Sequence, residues 1–254
     1  MGRGVVSRLS GVVPRLLAPW LRRARALCYL GDGVECPCCG GRFRTFLPAG
    51  KPRRPGALCP RCSSLERHRL IWLFLTERTP LFRDRLRVLS VAPEQDLQRR
   101  LRSEPRLTYV SGDRDSALAM VRFDLERLPV RDGAFDVVIC THVLEHVGDV
   151  RAALRELLRV LGPGGWALLQ SPVDTSRAQT LEDPSVKSPA ERLRVFGQED
   201  HVRIFGRDYA AWLRAAGFDV EVVPYGRESG PERVARHGLD PEEDVYLCRR
   251  PVRD

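Results

Sequence analysis

Asp124-Leu125-Glu126-Arg127-Leu128-Pro129-Val130, followed by Asp132-Gly133 and Phe135-Asp136-Val137-Val138-Ile139-Cys140, leads into Thr141-His142-Val143-Leu144-Glu145-His146-Val147 and on to Leu157-Leu158-Arg159-Val160-Leu161-Gly162-Pro163-Gly164-Gly165. The run at 135–140 is short, apolar and rich in β-branched residues, the pattern of a buried strand. Val150, Leu154, Leu157, Leu158 and Leu161 recur at helical spacing, so a helix is predicted over about 149–161, stopped by the Gly-Pro-Gly-Gly run. Trp166-Ala167-Leu168-Leu169-Gln170 resumes as a strand. Upstream, Arg87-Val88-Leu89-Ser90-Val91 reads as the first strand, 94–104 as a helix, and Leu107-Thr108-Tyr109-Val110 as a strand ending near Asp113. Strands alternating with helices are the signature of parallel βαβ units, so the fold class is α/β with a doubly wound, mostly parallel sheet.

The rest of the chain is different in character. Residues 1–75 hold 14 of the 42 Lys and Arg but 3 of the 33 Asp and Glu, a net of +11, against −2 for the remainder. A clustered positive field attracts phosphates, nucleic acid or anionic lipid, and it also suits a merely solvated face. Apolar residues recur every three or four positions from Val5 to Leu27, with arginines between them, so 1–30 forms a basic amphipathic segment interrupted at Pro14 and Pro19. Three roles fit: docking onto the protein itself, contact with a membrane surface, or a transit peptide. No stretch reaches the roughly 18 apolar residues of a spanning helix, which excludes an integral membrane protein. A cytoplasmic location is expected, with peripheral membrane contact through 1–30 as the alternative.

Five of the eight cysteines crowd into Cys36-Pro37-Cys38-Cys39-Gly40 and Cys59-Pro60-Arg61-Cys62. Pairing Cys36 with Cys39 and Cys59 with Cys62 makes two C-x2-C knuckles, each able to aim two thiolates at one ion. A structural zinc at Cys36, Cys39, Cys59 and Cys62 is expected, because four sulfurs close the coordination shell; Cys38 or His68 is a substitute ligand. Two disulfides are the competing reading, suited to an extracellular protein. Cys28, Cys140 and Cys248 read as small buried hydrophobes. The expected organisation is the basic segment 1–30, a zinc-ribbon module over 31–64, a linker helix over 65–84 capped by Ser63 or Ser64, and a catalytic domain over 85–254.

The quoted stretches resemble class I S-adenosylmethionine-dependent methyltransferases of the type 11 kind over roughly 85–248. The Asp-x-x-x-Leu-Pro run, the Phe-Asp-Val-Val strand and the Leu-x-Pro-Gly-Gly turn occur in that order in the superfamily, and Ser64-Leu65-Glu66-Arg67-His68-Arg69 resembles the linker of a bacterial zinc-ribbon group within it. The resemblance implies a seven-stranded Rossmann-like sheet and S-adenosyl-L-methionine as cofactor. It places Asp124 beside the adenine amino group and Leu125 against the ring, with Cys140 and Thr141 lining the methionine end. Asp113, about 20 residues beyond the first strand, suits the ribose hydroxyls. For both acids, turn capping is the competing role. The superfamily's glycine-rich first loop is replaced here by Ser90-Val91-Ala92-Pro93-Glu94-Gln95. Either Ala92 and Glu94 serve a specialised loop, with Glu94 near the cofactor's amino-acid end, or cofactor binding has been lost and the chain is a scaffold.

The expected acceptor is an oxygen or nitrogen of a small molecule or glycan-like metabolite, received by a long polar connection over 172–205. RNA is the alternative, gripped by the basic front end. The Pro-Pro-aromatic signature of nucleobase amino-methyltransferases is absent after residue 140. His201 is the expected general base, oriented by Glu199 or Asp200, with Arg203 holding an anionic substrate; His142 is the second candidate, and His146 is expected to pack against a helix.

Overall fold

The apolar runs at 86–91 and 135–141 become neighbouring parallel strands, and a sheet grows outward from them. The computed structural model describes residues 18–50 and 52–252. They divide into two units, one containing the residues up to Arg69 together with Pro231–Asp240, the other Leu70–Gly230 with the residues from Pro241 onward.

In the smaller unit, helix α1 (Ala18–Cys28) ends the amphipathic stretch, whose residues 1–17 lie outside the described residues. Strands β1 (Leu30–Cys36) and β2 (Gly41–Phe43) form one antiparallel hairpin, and β3 (Leu47–Ala49) and β4 (Arg54–Leu58) a second. Arg25 of α1 donates to the Pro60 carbonyl and to Ser63 Oγ, so this helix docks on the second cysteine knuckle. Cys28 is exposed, contrary to the expectation that it is buried; it ends a helix whose Leu27 also faces solvent. Helix α2 (Glu66–Arg78) follows.

The larger unit runs β5 (Leu86–Val91), α3 (Gln95–Ser103), β6 (Leu107–Asp113), β7 (Val121–Arg122), β8 (Phe135–Thr141), α4 (Val150–Val160), β9 (Leu161–Gln170), β10 (Leu181–Glu182), α5 (Pro189–Phe196), β11 (Arg203–Ile204), α6 (Tyr209–Ala215), β12 (Asp219–Val223) and α7 (Tyr225–Glu228), and, after α8 (Gly230–His237), which belongs to the smaller unit from Pro231 on, β13 (Val245–Arg249). Seven strands form one sheet in the order β12-β13-β9-β8-β5-β6-β7, parallel from β9 to β7 and antiparallel at β13. This is the expected doubly wound architecture. Its order reverses between β5 and β8, where the crevice beyond the carboxyl ends of the strands receives ligands in such folds.

Helix α4 forms because Asp149 caps it, its Oδ1 accepting the Ala152 N–H at 2.9 Å, and because Val150, Ala153, Leu154, Leu157 and Val160 make one buried face. Each buried Leu there is worth about 1.5–3 kcal/mol. The glycine run does not separate helix from strand as expected: β9 begins at Leu161, and the run is absorbed as an irregularity in its pairing with β8, Phe135 facing Leu161 and Val137 facing Trp166. Gly164 takes φ +71° there. The 172–205 connection is likewise ordered, carrying β10, α5 and β11. Ser188 and Glu191 cap α5 reciprocally, and Gly197 ends it at φ +80°. No helix among the described residues is long and apolar enough to cross a membrane.

Candidate active site and metal centre

Two residues at the strand-order reversal carry backbone strain. Ala92, leaving β5, has φ +48°, and His142, leaving β8, has φ +55°. Side-chain-bearing residues in this region cost roughly 1–3 kcal/mol each and gather at functional sites. Ala92 thus adopts the conformation that glycine adopts freely. Its N–H donates to the Gly112 carbonyl at 2.9 Å, and that of His142 to Gln170 at 2.7 Å.

Between these turns lies a cavity of about 470 Å³ whose lining includes Ala92, Asp113, Asp124, Leu125, His142 and His146. That volume falls within the roughly 300–1,000 Å³ of small-molecule sites. Asp113 Oδ1 accepts the N–H groups of Asp115 and Ser116 at 2.7 and 2.6 Å, and Asp124 Oδ1 that of Glu126 at 2.9 Å. Each carboxylate therefore caps a turn with one oxygen and keeps Oδ2 out of that turn. Glu94, Cys140, Thr141 and His201 are not among the lining residues. Glu94 stands at the N-terminus of α3, and Cys140 and Thr141 are buried in β8, where burial pushes the Cys140 thiol up.

Behind His142 is a compact polar group. Glu145, 2% exposed, has Oε1 at 3.5 Å from His142 Nδ1 and 3.9 Å from His146 Nε2, while Ser171 Oγ donates to Oε2 at 3.0 Å. Burial opposes its charge, yet the facing imidazoles of His142 and His146 hold its carboxyl below the usual range. His201, also buried, lies edge-on to His146 with ring centroids 4.7 Å apart. Burial, then the neighbouring His146, lowers its pKa. His142 Nε2 is buried without a hydrogen-bond partner.

Three expectations about this neighbourhood need correction. His146 precedes α4 and faces the cavity, because the helix starts at Val150. Asp200 serves His146, with Oδ2 at 3.3 Å and its carbonyl at 3.2 Å from Nδ1. Arg203 is too committed to hold a substrate: 1% exposed, it donates to Glu182 and to the carbonyls of Leu144, Val147 and Gly148. It fastens the 172–205 insertion to the turn after β8, helped by the Val202 N–H on the Glu145 carbonyl at 3.0 Å.

A sheet in this order, with a cavity at its switch point and paired acids in it, invites comparison with known proteins. Residues 61–223 match the family described as Methyltransferase domain. The chain belongs to that family, within the class I S-adenosylmethionine-dependent methyltransferase superfamily. It is 35% identical over 91 residues to a ubiquinone biosynthesis O-methyltransferase of Xanthomonas euvesicatoria pv. vesicatoria (strain 85-10), a stretch covering 36% of this chain and 38% of that protein. It is 55% identical over 63 residues to the uncharacterized protein YafE of Escherichia coli (strain K12), covering 22% and 30% respectively. The chain thus spans well under two thirds of these curated relatives. Among solved structures, the [4+2]-cyclase SpnF shares the fold with a TM-score of 0.52 and 20% identity, over 75% of this chain and 84% of that one.

In the smaller unit, the methyltransferase carries the sulfur atoms of Cys36, Cys39, Cys59 and Cys62 within 4.8 Å of one another. The Cys36–Cys62 and Cys39–Cys59 separations are 3.6 and 3.7 Å. These are not disulfides, and they match the roughly 3.8 Å edge of a tetrahedron with Zn–S bonds of about 2.3 Å. Gly40 turns the first knuckle at φ +67°, and Ser63 holds the equivalent place in the second at φ +64°. Ser64 does not cap α2 as expected; its hydroxyl lies 3.2 Å from both Cys36 and Cys62. His68 Nδ1 accepts the Leu65 N–H, and Cys38 lies against the His68 carbonyl, so neither stands in for a ligand.

Sequence reasoning missed Arg69, which is fully buried. Its guanidinium donates to the carbonyls of Ala57, Ser64, His237 and Gly238, stacks over Phe46 at 4.0 Å, and among the described residues has no carboxylate hydrogen-bonded to it. Arg236 adds an ion pair to Glu35 at 3.0 Å, so residues 236–238 are tied into the cysteine-bearing unit. The signal that could have found Arg69 was an arginine inside an otherwise apolar helix face.

Proposed function

We propose that this chain transfers the methyl group of S-adenosylmethionine to an oxygen or nitrogen of a small-molecule or glycan-like acceptor. The observation that carries this reading is the cavity at the switch point, which gathers Ala92, Asp113, Asp124 and Leu125 together with His142. The cofactor supplies an electrophilic methyl on a positively charged sulfur. Asp113 is assigned the ribose hydroxyls and Asp124 with Leu125 the adenine, each acid using Oδ2; Glu94, Cys140 and Thr141 act behind the lining, through the loop and strand that shape it. Of the two expected bases, His142 reaches the cavity. Glu145 orients its Nδ1, leaving the unpartnered Nε2 to take the acceptor's proton, as a carboxylate-oriented imidazole does in other transferases. His201 is a supporting group behind it.

Zinc at the four cysteines fits the donor set and the sulfur spacing, and we assign it a structural role. The buried positive charge of Arg69 offsets the net negative charge of four thiolates around a divalent ion. The expected organisation becomes a zinc-bearing module that also includes 231–240, followed by the methyltransferase domain.

Since the fold is shared with a [4+2]-cyclase, cofactor binding is the first test. Calorimetry should give a dissociation constant of about micromolar to tens of micromolar, weakened by Asp113→Ala or Asp124→Ala. No heat at millimolar cofactor would support a scaffold instead. Labelled cofactor incubated with fractionated metabolites and, separately, with total RNA then identifies the acceptor; label in RNA alone would replace the small-molecule reading.

A further inference from the structure

We propose that Glu145, His146 and His201 bind one divalent first-row metal ion on the wall of the methyl-transfer cavity, distinct from the four-cysteine site. One carboxylate oxygen and one ring nitrogen from each histidine lie within 4.8 Å of one another. The spacing of the donor atoms suits a cation there. His146 Nδ1 faces two acceptors, the Asp200 carbonyl at 3.2 Å and Oδ2 at 3.3 Å, so Nδ1 carries the ring proton. The other ring nitrogen, Nε2, faces Glu145 Oε1 across 3.9 Å, too far for a hydrogen bond. A carboxylate that is 2% exposed, with a ring nitrogen held at that distance, has room for a cation between the two atoms.

The surroundings are those of a metal site. The Asp200–His146 contact fixes the tautomer and ring direction, and the Ser171 hydroxyl holds the far oxygen of Glu145, the outer partners that orient ligands. Two imidazoles and a carboxylate suit zinc, iron or cobalt, and three protein ligands leave positions open where four sulfurs leave none. Of the three, His146 lines the cavity while Glu145 and His201 are buried behind it, so an ion held by them meets the cavity on the His146 side. Resting on the methyl-transfer reading, the ion's function is to bind the acceptor oxygen and weaken its hold on its proton, which passes to His142 Nε2. The acceptor class this selects is a hydroxyl compound with a second oxygen able to reach the same ion.

The test uses the full chain with its cysteine site filled, equilibrated with micromolar zinc chloride and then with cobalt chloride. Elemental analysis should find about two zinc ions per chain in the wild type and one in His201→Gln, and cobalt should give an absorption band from a nitrogen- and oxygen-ligated ion that the variant lacks. Asp200→Asn, on an exposed side chain, should weaken the second ion roughly 10-fold or more and serves if His201→Gln does not fold. Calorimetry with S-adenosylmethionine is run in parallel. One zinc in the wild type, or a second zinc held with undiminished affinity by both variants, overturns the site. A second zinc lost in the variants supports it even when cofactor binding is absent, a result that would defeat the methyl-transfer reading alone.

Discussion

The four-sulfur cluster and the Glu145, His146, His201 group are both convergences of ligand-type side chains, assembled in opposite ways. Each cysteine knuckle is a local turn, closed by hydrogen bonds such as Gly40 N–H to Cys36 and Ser63 N–H to Cys59. Its partners sit three positions apart, so spacing alone announces it. In the histidine group, residues 145 and 146 belong to the turn after β8, whereas His201 arrives on an insertion ordered by its own cap and by Arg203. Local chemistry builds the first. The second exists only when an insertion more than 30 residues long is held in one place.

Breaking the first cluster should have the largest effect. Cys59→Ser is expected to release its metal, whose binding in small thiolate modules is worth about 10–16 kcal/mol, and to unfold the smaller unit. Metal analysis and proteolysis of the 30–69 region check this, and a stable metal-free variant would remove the zinc assignment.

Arg203→Met attacks the second assembly. It leaves three carbonyls without their donor, while Glu182, whose side chain is 35% exposed, turns to water, so the loss is about 1–3 kcal/mol for each acceptor left unsatisfied. Urea unfolding should register it, and hydrogen exchange should rise across 172–205 while the cysteine unit stays protected. An unchanged exchange pattern would mean that the insertion is held by other contacts.

His142→Gln sharpens the comparison by leaving the assembly intact. Turnover should fall roughly 100-fold or more with little change in cofactor affinity. A rise confined to the acceptor KM would make His142 a binding residue.

The smallest effect is expected at the turn after β5. Ala92→Gly relieves left-handed strain of about 1–2 kcal/mol, partly offset by the roughly 0.5–1 kcal/mol entropy cost of glycine. The net should be a stabilisation of under about 1 kcal/mol by urea unfolding, and destabilisation would show that the Ala92 methyl is held by packing.

The order of strands and helices was legible because hydrophobic periodicity is a local property. Residues 135–141, 150–160 and 86–91 show their elements within a few positions. The glycine run at 162–165 misled because its turn potential is overridden by pairing with β8, which extends the strand through it. His146 and Arg203 misled for a related reason. One was expected to pack against a helix and instead lines the cavity, and the other was assigned to a substrate, although its charge is held by Glu182 and by the carbonyls of residues 144, 147 and 148.

Alone, the sequence determined the α/β class, the pairing of four cysteines into two knuckles and the place of Asp113 close to a strand end, since periodicity, C-x2-C spacing and a residue's distance from a strand are all set by neighbours along the chain. Tertiary structure alone decided that Ala92 and His142 both line the switch-point cavity in strained conformations. It also decided that Arg69 is buried among carbonyls of residues 57, 64, 237 and 238, and that Glu145 meets His201. The physical reason is common to all three: burial and the pairing of charges depend on which distant segments close over a side chain, and that is a property of the folded chain and not of any local run.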